Sequence, residues 1–208
     1  MDKEKLEEGF AKVLEGLGIS DSHESARRAA QAWYDELCAG LREAPPSLEV
    51  FPVNGEHSNR LVMLNGIPVK SICSHHLLPF TGTATVGFQP GDLLCGLSRL
   101  SRAVNHFSRQ PQLQEQLTSQ IAGFLQSGLQ ARGVGVLIRA THYCMGIRGV
   151  NHPGEFTTTC FTGSLEENTD LREEFMQLSG GEPPAAKSPD NREALSTGPA
   201  SKGAATGR

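Results

Sequence analysis

The sequence contains no uninterrupted apolar run near the roughly 18 to 20 residues needed to cross a bilayer, and its start, Met1-Asp2-Lys3-Glu4-Lys5, has no apolar signal core. Neither a membrane span nor secretion is expected, which makes a cytoplasmic location the natural one. It also lacks an excess of cations. With 19 Lys and Arg against 23 Asp and Glu, the formal charge is -4, which argues against a nucleic-acid binder but leaves room for a small basic pocket that takes one phosphorylated metabolite. There is no internal repeat and no even set of cysteines. Five cysteines, at 38, 73, 95, 144 and 160, do not suggest a disulfide framework in a chain of 208 residues without a secretion signal, so metal or catalytic use gains weight. What is present is 38% hydrophobic residues, enough for one domain of ordinary size with its own core.

The periodicity of the apolar residues divides the chain into helical and extended parts. Leu6, Phe10, Val13, Leu14 and Leu17 predict a first helix stopped at Gly18. Ala26, Ala29, Ala30, Trp33, Leu37 and Leu41 predict a second, capped by Asp21 and Ser22, and the two read as a helical hairpin that packs on something else. Pro45-Pro46, Pro52 and Asn54-Gly55 mark residues 42 to 60 as an irregular connection. Beyond it, residues 61 to 64 and 67 to 70 read as two strands about an Asn65-Gly66 turn, with Pro68 suited to an edge. Strands are also expected at 83 to 88 and 93 to 97, on either side of Pro90-Gly91-Asp92. A long helix over about 98 to 130 follows, with Pro111 placed to divide it. Val134, Val136, Ile138 and Ala140 alternate as a strand does, residues 155 to 162 supply its partner, and a closing helix is expected over 168 to 178. This gives three parts: N-terminal helices and linker at 1–60, a main domain at 61–178, and a Gly/Pro/Ala/Ser-rich tail at 179–208 that reads as disordered.

Chemistry concentrates in Cys73-Ser74-His75-His76 and His142-Tyr143-Cys144. A thiolate and an imidazole three apart, joined by a distant thiolate, make three ligands, and catalytic zinc sites use three protein ligands with one position left open. That leaves two histidines for acid-base work. A closed structural site, with a spare histidine as the fourth ligand, satisfies the same count. On an extended chain Cys73 and His75 would share a face, so ligation through Cys73 and His76 requires a turn; continued strand parity would send His142 and Cys144 to one side. Ser98, Arg99 and Arg102 at a helix start, with Arg148 after Cys144, suit phosphate oxygens, although scattered arginines more often form a solvated face. Glu115 could accept two hydrogen bonds from an N–H and amino edge such as guanine presents, against the blander reading of a solvated helix.

Four stretches, taken in order, resemble GTP cyclohydrolase I: Cys73-Ser74-His75-His76-Leu77-Leu78-Pro79-Phe80; Gly96-Leu97-Ser98-Arg99-Leu100; Gln112-Leu113-Gln114-Glu115-Gln116-Leu117-Thr118; and Thr141-His142-Tyr143-Cys144-Met145 with Arg148-Gly149. The likeness covers about residues 61 to 178 well and the N-terminal helices more loosely. It implies an α+β T-fold subunit, an antiparallel four-stranded sheet backed by long helices, with the N-terminal hairpin added, assembled into a toroidal decamer with sites between subunits. It further implies Zn2+ on Cys73, His76 and Cys144, with His75 and His142 as the acid-base pair. Gln114 and Glu115 would hold the guanine of GTP, Ser98, Arg99, Arg102 and Arg148 would face its triphosphate, and Arg28 would reach that triphosphate from a neighbouring subunit. The implied reaction is hydrolysis at C8 with loss of formate and rearrangement to 7,8-dihydroneopterin triphosphate.

Three departures accompany the likeness. Ser74 stands where the family usually has glutamate, Gln31 where a lysine commonly joins the phosphate contacts, and Ser25-Ala26 where Thr-Pro precedes the arginine. Ser74 and Gln31 keep open a same-fold enzyme that stops at the formamidopyrimidine or takes another purine nucleotide; the other alternative is a catalytically silent, zinc-stabilised ring with a regulatory role, against which the two spare histidines stand. The downstream pathway, whether folate, another pterin or a deazaguanine, is not written in the chain.

Overall fold

A computed structural model describes residues 1–19, 23–53 and 60–180. The proposed caps Asp21 and Ser22, the Asn54-Gly55 pair and nearly all of the tail assigned to 179–208 lie outside these residues. Helix α1 (Lys3–Gly16) starts where the Asp2 carboxylate accepts the Lys5 N–H at 3.1 Å, satisfying one of the unpaired donors of a first turn. Helix α2 (His23–Ala32) packs on it through small residues, burying Ala26 and Ala30, while Phe10 meets Trp33 edge to face at 5.8 Å. None of α1 is buried.

The second helix was expected to run to Leu41, but after Ala32 the chain widens into a π-helical turn (Trp33–Leu37) and then tightens into a 3-10 turn (Ala39–Leu41). Arg109 holds this irregular end, donating to the Asp35 and Glu36 carbonyls at 2.8 and 2.7 Å. Carbonyls that a regular helix would have used internally are thereby satisfied from another element.

Short β1 (Phe51–Pro52) leads to the long strands β2 (Val62–Cys73) and β3 (Pro79–Gln89), and β4 (Leu93–Leu94) returns to pair with β1. Helix α3 (Leu97–Ser108), β5 (Pro111–Gln112) and helix α4 (Gln114–Leu129) come next, so Pro111 does divide the long helical stretch, and lies in a strand pairing parallel to the end of β2. Strand β6 (Gly133–His142), the single turn α5 (Tyr143–Gly146), β7 (Glu155–Gly163), the short α6 (Ser164–Glu167) and α7 (Thr169–Ser179) complete the order. The main sheet runs β5-β2-β3-β6-β7, and its four long strands are antiparallel neighbours. This is the α+β architecture implied by the resemblance, with β5 as an added fifth strand. Helix α7 begins with Asn168 capping two N–H groups and includes Ser179, one residue inside the segment assigned to the tail.

Residues 61 to 70 are not a hairpin. Both halves pair with β3, from Val62 opposite Phe88 to Ile72 opposite Pro79, and Asn65-Gly66 forms a bulge where the register shifts between Leu64 and Ile67. The positive φ of Gly66 (69°) serves the extra residue of that bulge rather than a reversal. An 11-residue partner strand outcompetes a two-residue turn, and the Asn65 amide is drawn to the Leu178 carbonyl at 3.1 Å.

The sheet is covered on both faces. Val134, Val136, Ile138 and Ala140 of β6 join Val86, Phe88, Leu100, Leu117, Ile121 and Leu125 in the main core between the sheet and helices α3 and α4. On the other face Leu137, Leu165 and Phe175 form a smaller cluster. Gly87 and Gly135 make room for it, since a Cβ at either would come within about 3 Å of the Phe175 ring. Among the described residues no helix is long and apolar enough to cross a membrane.

Candidate active site

At the end of β2 the chain makes the turn that ligation through Cys73 and His76 requires. The Cys73 N–H donates to the Leu78 carbonyl and the Leu77 N–H to the Cys73 carbonyl, both at 2.8 Å, with Leu77 at φ 54°. This closed loop keeps Cys73 buried under the sheet edge and lifts His75 and His76 to the surface. His76 folds back until its Nδ1 lies 4.0 Å from the Cys73 sulfur.

The second cluster reaches the same place by a different path from the one its spacing predicts. Strand β6 ends at His142, and Cys144 sits in the single helical turn α5 instead of continuing the strand. The curl brings its sulfur towards Cys73, so that the donor atoms of Cys73, His76 and Cys144 all lie within 4.8 Å of one another. Burial, and then the adjacent Cys73 thiol, push the Cys144 thiol above its ordinary range. Two neighbouring thiols cannot both ionise readily unless a cation compensates them. Two sulfurs and an imidazole nitrogen at this spacing fit a tetrahedral zinc, whose bonds of about 2.0 to 2.3 Å need only a small contraction of the group.

His142 is fixed on three sides. Its ring stacks on Phe80 with centroids 4.5 Å apart and planes 6° from parallel, and Phe156 meets it edge-on at 5.6 Å. Its Nε2 lies 2.8 Å from Oε1 of Gln114, the first residue of α4. Burial pulls the His142 pKa down, and the Glu115 carboxylate opposes that shift. The three sulfur and nitrogen donors, His75, His142, Gln114 and Glu115 all line one cleft of about 210 Å3. A larger hollow of about 570 Å3 between α1 and the start of α2 collects only scattered surface charges, Glu8, Lys12, Glu15 and His23, and no converging set.

A family model described as GTP cyclohydrolase I matches residues 6–180. The chain belongs to the GTP cyclohydrolase I family. It is 40% identical over 183 residues to GTP cyclohydrolase 1 of Sulfurihydrogenibium sp., an alignment that covers 86% of this chain and 95% of the relative. To GTP cyclohydrolase 1 of Janthinobacterium sp. it is 42% identical over 177 residues, covering 83% and 89% of the two chains. The Aquifex aeolicus GTP cyclohydrolase 1 is 38% identical over 186 residues, covering 87% and 98%.

In this GTP cyclohydrolase I chain the basic residues do not line the cleft. Ser98 and Arg102 are exposed on the first turns of α3, and Arg148 is exposed just after α5. Arg99, largely covered, pairs with Glu49, which itself adopts a positive φ of 45°. Arg28 projects from α2 and shares the Glu24 carboxylate with Arg27. Of the departures, Ser74 is exposed in the Cys73–Leu77 turn and Gln31 is exposed on α2, whereas Ala26 is buried against α1. Phe80, Phe156, Thr118 and Thr158 carry no signal of a role in the sequence. Phe80 lies inside the first motif, but its position opposite His142 depends on the β3–β6 register, which a single sequence does not reveal.

Proposed function

We propose that the chain is a zinc-dependent GTP cyclohydrolase I that converts GTP to formate and 7,8-dihydroneopterin triphosphate. The observation that carries this reading is the convergence of Cys73, His76 and Cys144 within 4.8 Å in the cleft that also holds His75 and His142. Five thiol and imidazole groups around one cleft exceed what a closed structural site needs, and the family relatives carry the same name.

Cys73, His76 and Cys144 would hold the zinc, which supplies Lewis acidity and makes water nucleophilic near neutral pH. Glu115, exposed at the cleft, accepts from the N–H and amino edge of guanine and so points C8 inward. His142, half-buried and locked in place, exchanges protons at the reacting ring, while exposed His75 serves the more mobile steps on the opened ribose. Water opens the imidazole at C8 to a formamide, a second water releases formate, and the freed amine condenses with the carbonyl of the opened, rearranged sugar, expelling one water.

The triphosphate falls to Ser98, Arg99, Arg102 and Arg148, with Arg28 supplied by a neighbouring subunit. That last assignment requires an oligomer, for which a homodecamer is our reading. Residues 61–178 would form the catalytic unit, 1–60 an accessory hairpin and linker, and 179–208 a tail. The substrate is a free nucleotide in the cytoplasm, with no part for nucleic acid or membrane. A zinc-loaded preparation supplied with GTP should release formate in step with GTP loss; GTP consumed without formate would instead favour an enzyme that stops at the formamidopyrimidine.

A further inference from the structure

We infer that Gln114 acts through His142 rather than on the base: its side-chain amide holds the neutral ring as the Nε2–H tautomer and leaves the Nδ1 lone pair for the substrate. The proposal rests on the cyclohydrolase reading of the cleft. It starts from the environment of one amide that is only 1% exposed.

The nitrogen of that amide, Nε2, lies 3.1 Å from the Ile138 carbonyl, 3.0 Å from the Phe156 carbonyl and 3.1 Å from Thr158 Oγ1. Two of these three are obligate acceptors. Turning the amide over would press its oxygen against both carbonyls, so the assignment of nitrogen and oxygen is forced. The hydroxyls agree with it. Thr118 donates its only proton to the Gln114 main-chain carbonyl at 2.7 Å, so the 2.6 Å contact between Thr118 and Thr158 must use the Thr158 proton. Thr158 Oγ1 is then free to accept from Gln114, whose two N–H hydrogens are shared among the three acceptors.

With its nitrogen committed, the amide turns Oε1 to His142 Nε2 at 2.8 Å. An amide oxygen only accepts, so the ring nitrogen must carry the hydrogen. The other nitrogen, Nδ1, has no hydrogen-bond partner among the described residues and is not sealed inside the protein. Phe80 and Phe156 restrict rotation of the ring, and the hydrogen bond selects its tautomer. The neutral His142 ring thus presents its acceptor at Nδ1. The same commitments deny Gln114 a free side-chain donor or an unshared oxygen for guanine, which leaves Glu115 as the carboxylate that reads the base edge.

The test uses zinc-loaded full-length protein labelled with 15N-histidine, with the His142 signals assigned by their loss in His142→Gln. The wild type should show a pyrrole-type Nε2 and a pyridine-type Nδ1. Gln114→Met should blur that distinction and lower kcat by roughly 10²-fold while KM for GTP stays within about threefold, since only the proton-transfer group is disturbed. Gln114→Asn keeps the amide but is one methylene too short to span from the two carbonyls to the ring, and should behave in the same way. A pyrrole-type Nδ1 in the wild type would overturn the proposal even if neither variant folds. So would unchanged ring signals in the variants, or a raised KM with kcat preserved, which would make Gln114 a base reader. The expected wild-type signals without any GTP turnover would support the positioning role and overturn the cyclohydrolase reading instead.

Discussion

Phe80 and His142 are direct partners across strands β3 and β6, and that register is why their rings stack 4.5 Å apart and 6° from parallel. Cross-strand neighbours on one face approach closely enough for ring contact, so the sheet itself orients the histidine. Phe80→Leu keeps most of the buried volume and should cost about 1 kcal/mol in stability. It should nevertheless lower kcat about tenfold by loosening the ring, with zinc content unchanged. Denaturant unfolding and steady-state kinetics on the same preparation check this. An unaltered kcat would show that Gln114 alone suffices to place the ring.

Removing a metal donor and removing the proton-transfer group should have separable effects. Cys73→Ser and Cys144→Ser should each lose zinc, measured by metal analysis after gel filtration, because the hard hydroxyl is a poor replacement for thiolate. His142→Ala should keep its zinc and lose roughly 10²- to 10⁴-fold in turnover. Zinc loss in His142→Ala would make His142 a ligand and revive the structural site as a reading.

Arg99 is occupied by Glu49 rather than standing free for phosphate. If it binds the triphosphate, Glu49 competes with the substrate. Glu49→Gln should then lower KM for GTP by about two- to fivefold, in keeping with a partly exposed pair. Arg99→Ala should raise it by roughly tenfold or more. A KM that responds to neither change removes Arg99 from the phosphate contacts.

Much of this arrangement was legible in the chain because the signals were local or strongly periodic. The alternation through Val134–Ala140, the break at Pro111 and the demand for a turn after Cys73 all follow from backbone rules acting over a few residues. The rest was not legible, because a distant partner, or a turn that the alternation does not signal, overrides the local preference. Asn65-Gly66 carries a strong turn signal but pairs along β3, and Cys144 leaves the strand parity of β6 because α5 curls beneath it. Gln114 is the sharpest case. Its place in the motif identified it, but its three acceptors come from β6 and β7, 24 to 44 residues away, and only folding shows that the side chain is spent on them.

His106 gives the fold a pH dependence of its own. It is half-buried near the end of α3, and burial lowers its pKa below 6.5, opposed by Glu43 and reinforced by Arg109. The unfolded chain therefore binds more protons than the folded one in the window beneath 6.5. The contribution of His106 is fully present above that value and is lost as pH falls towards the folded pKa. His106→Gln should flatten the decline in thermal midpoint between about pH 7 and about pH 5. Parallel curves for wild type and variant would show that His106 is not the group responsible.

The central claim is tested most directly by identifying the product. Zinc-loaded protein incubated with GTP should yield one formate per GTP consumed and a compound with the mass and absorbance of a dihydropterin triphosphate. A product that retains the formyl carbon as a formamidopyrimidine, or GTP left untouched at high enzyme concentration with zinc present, would contradict the account.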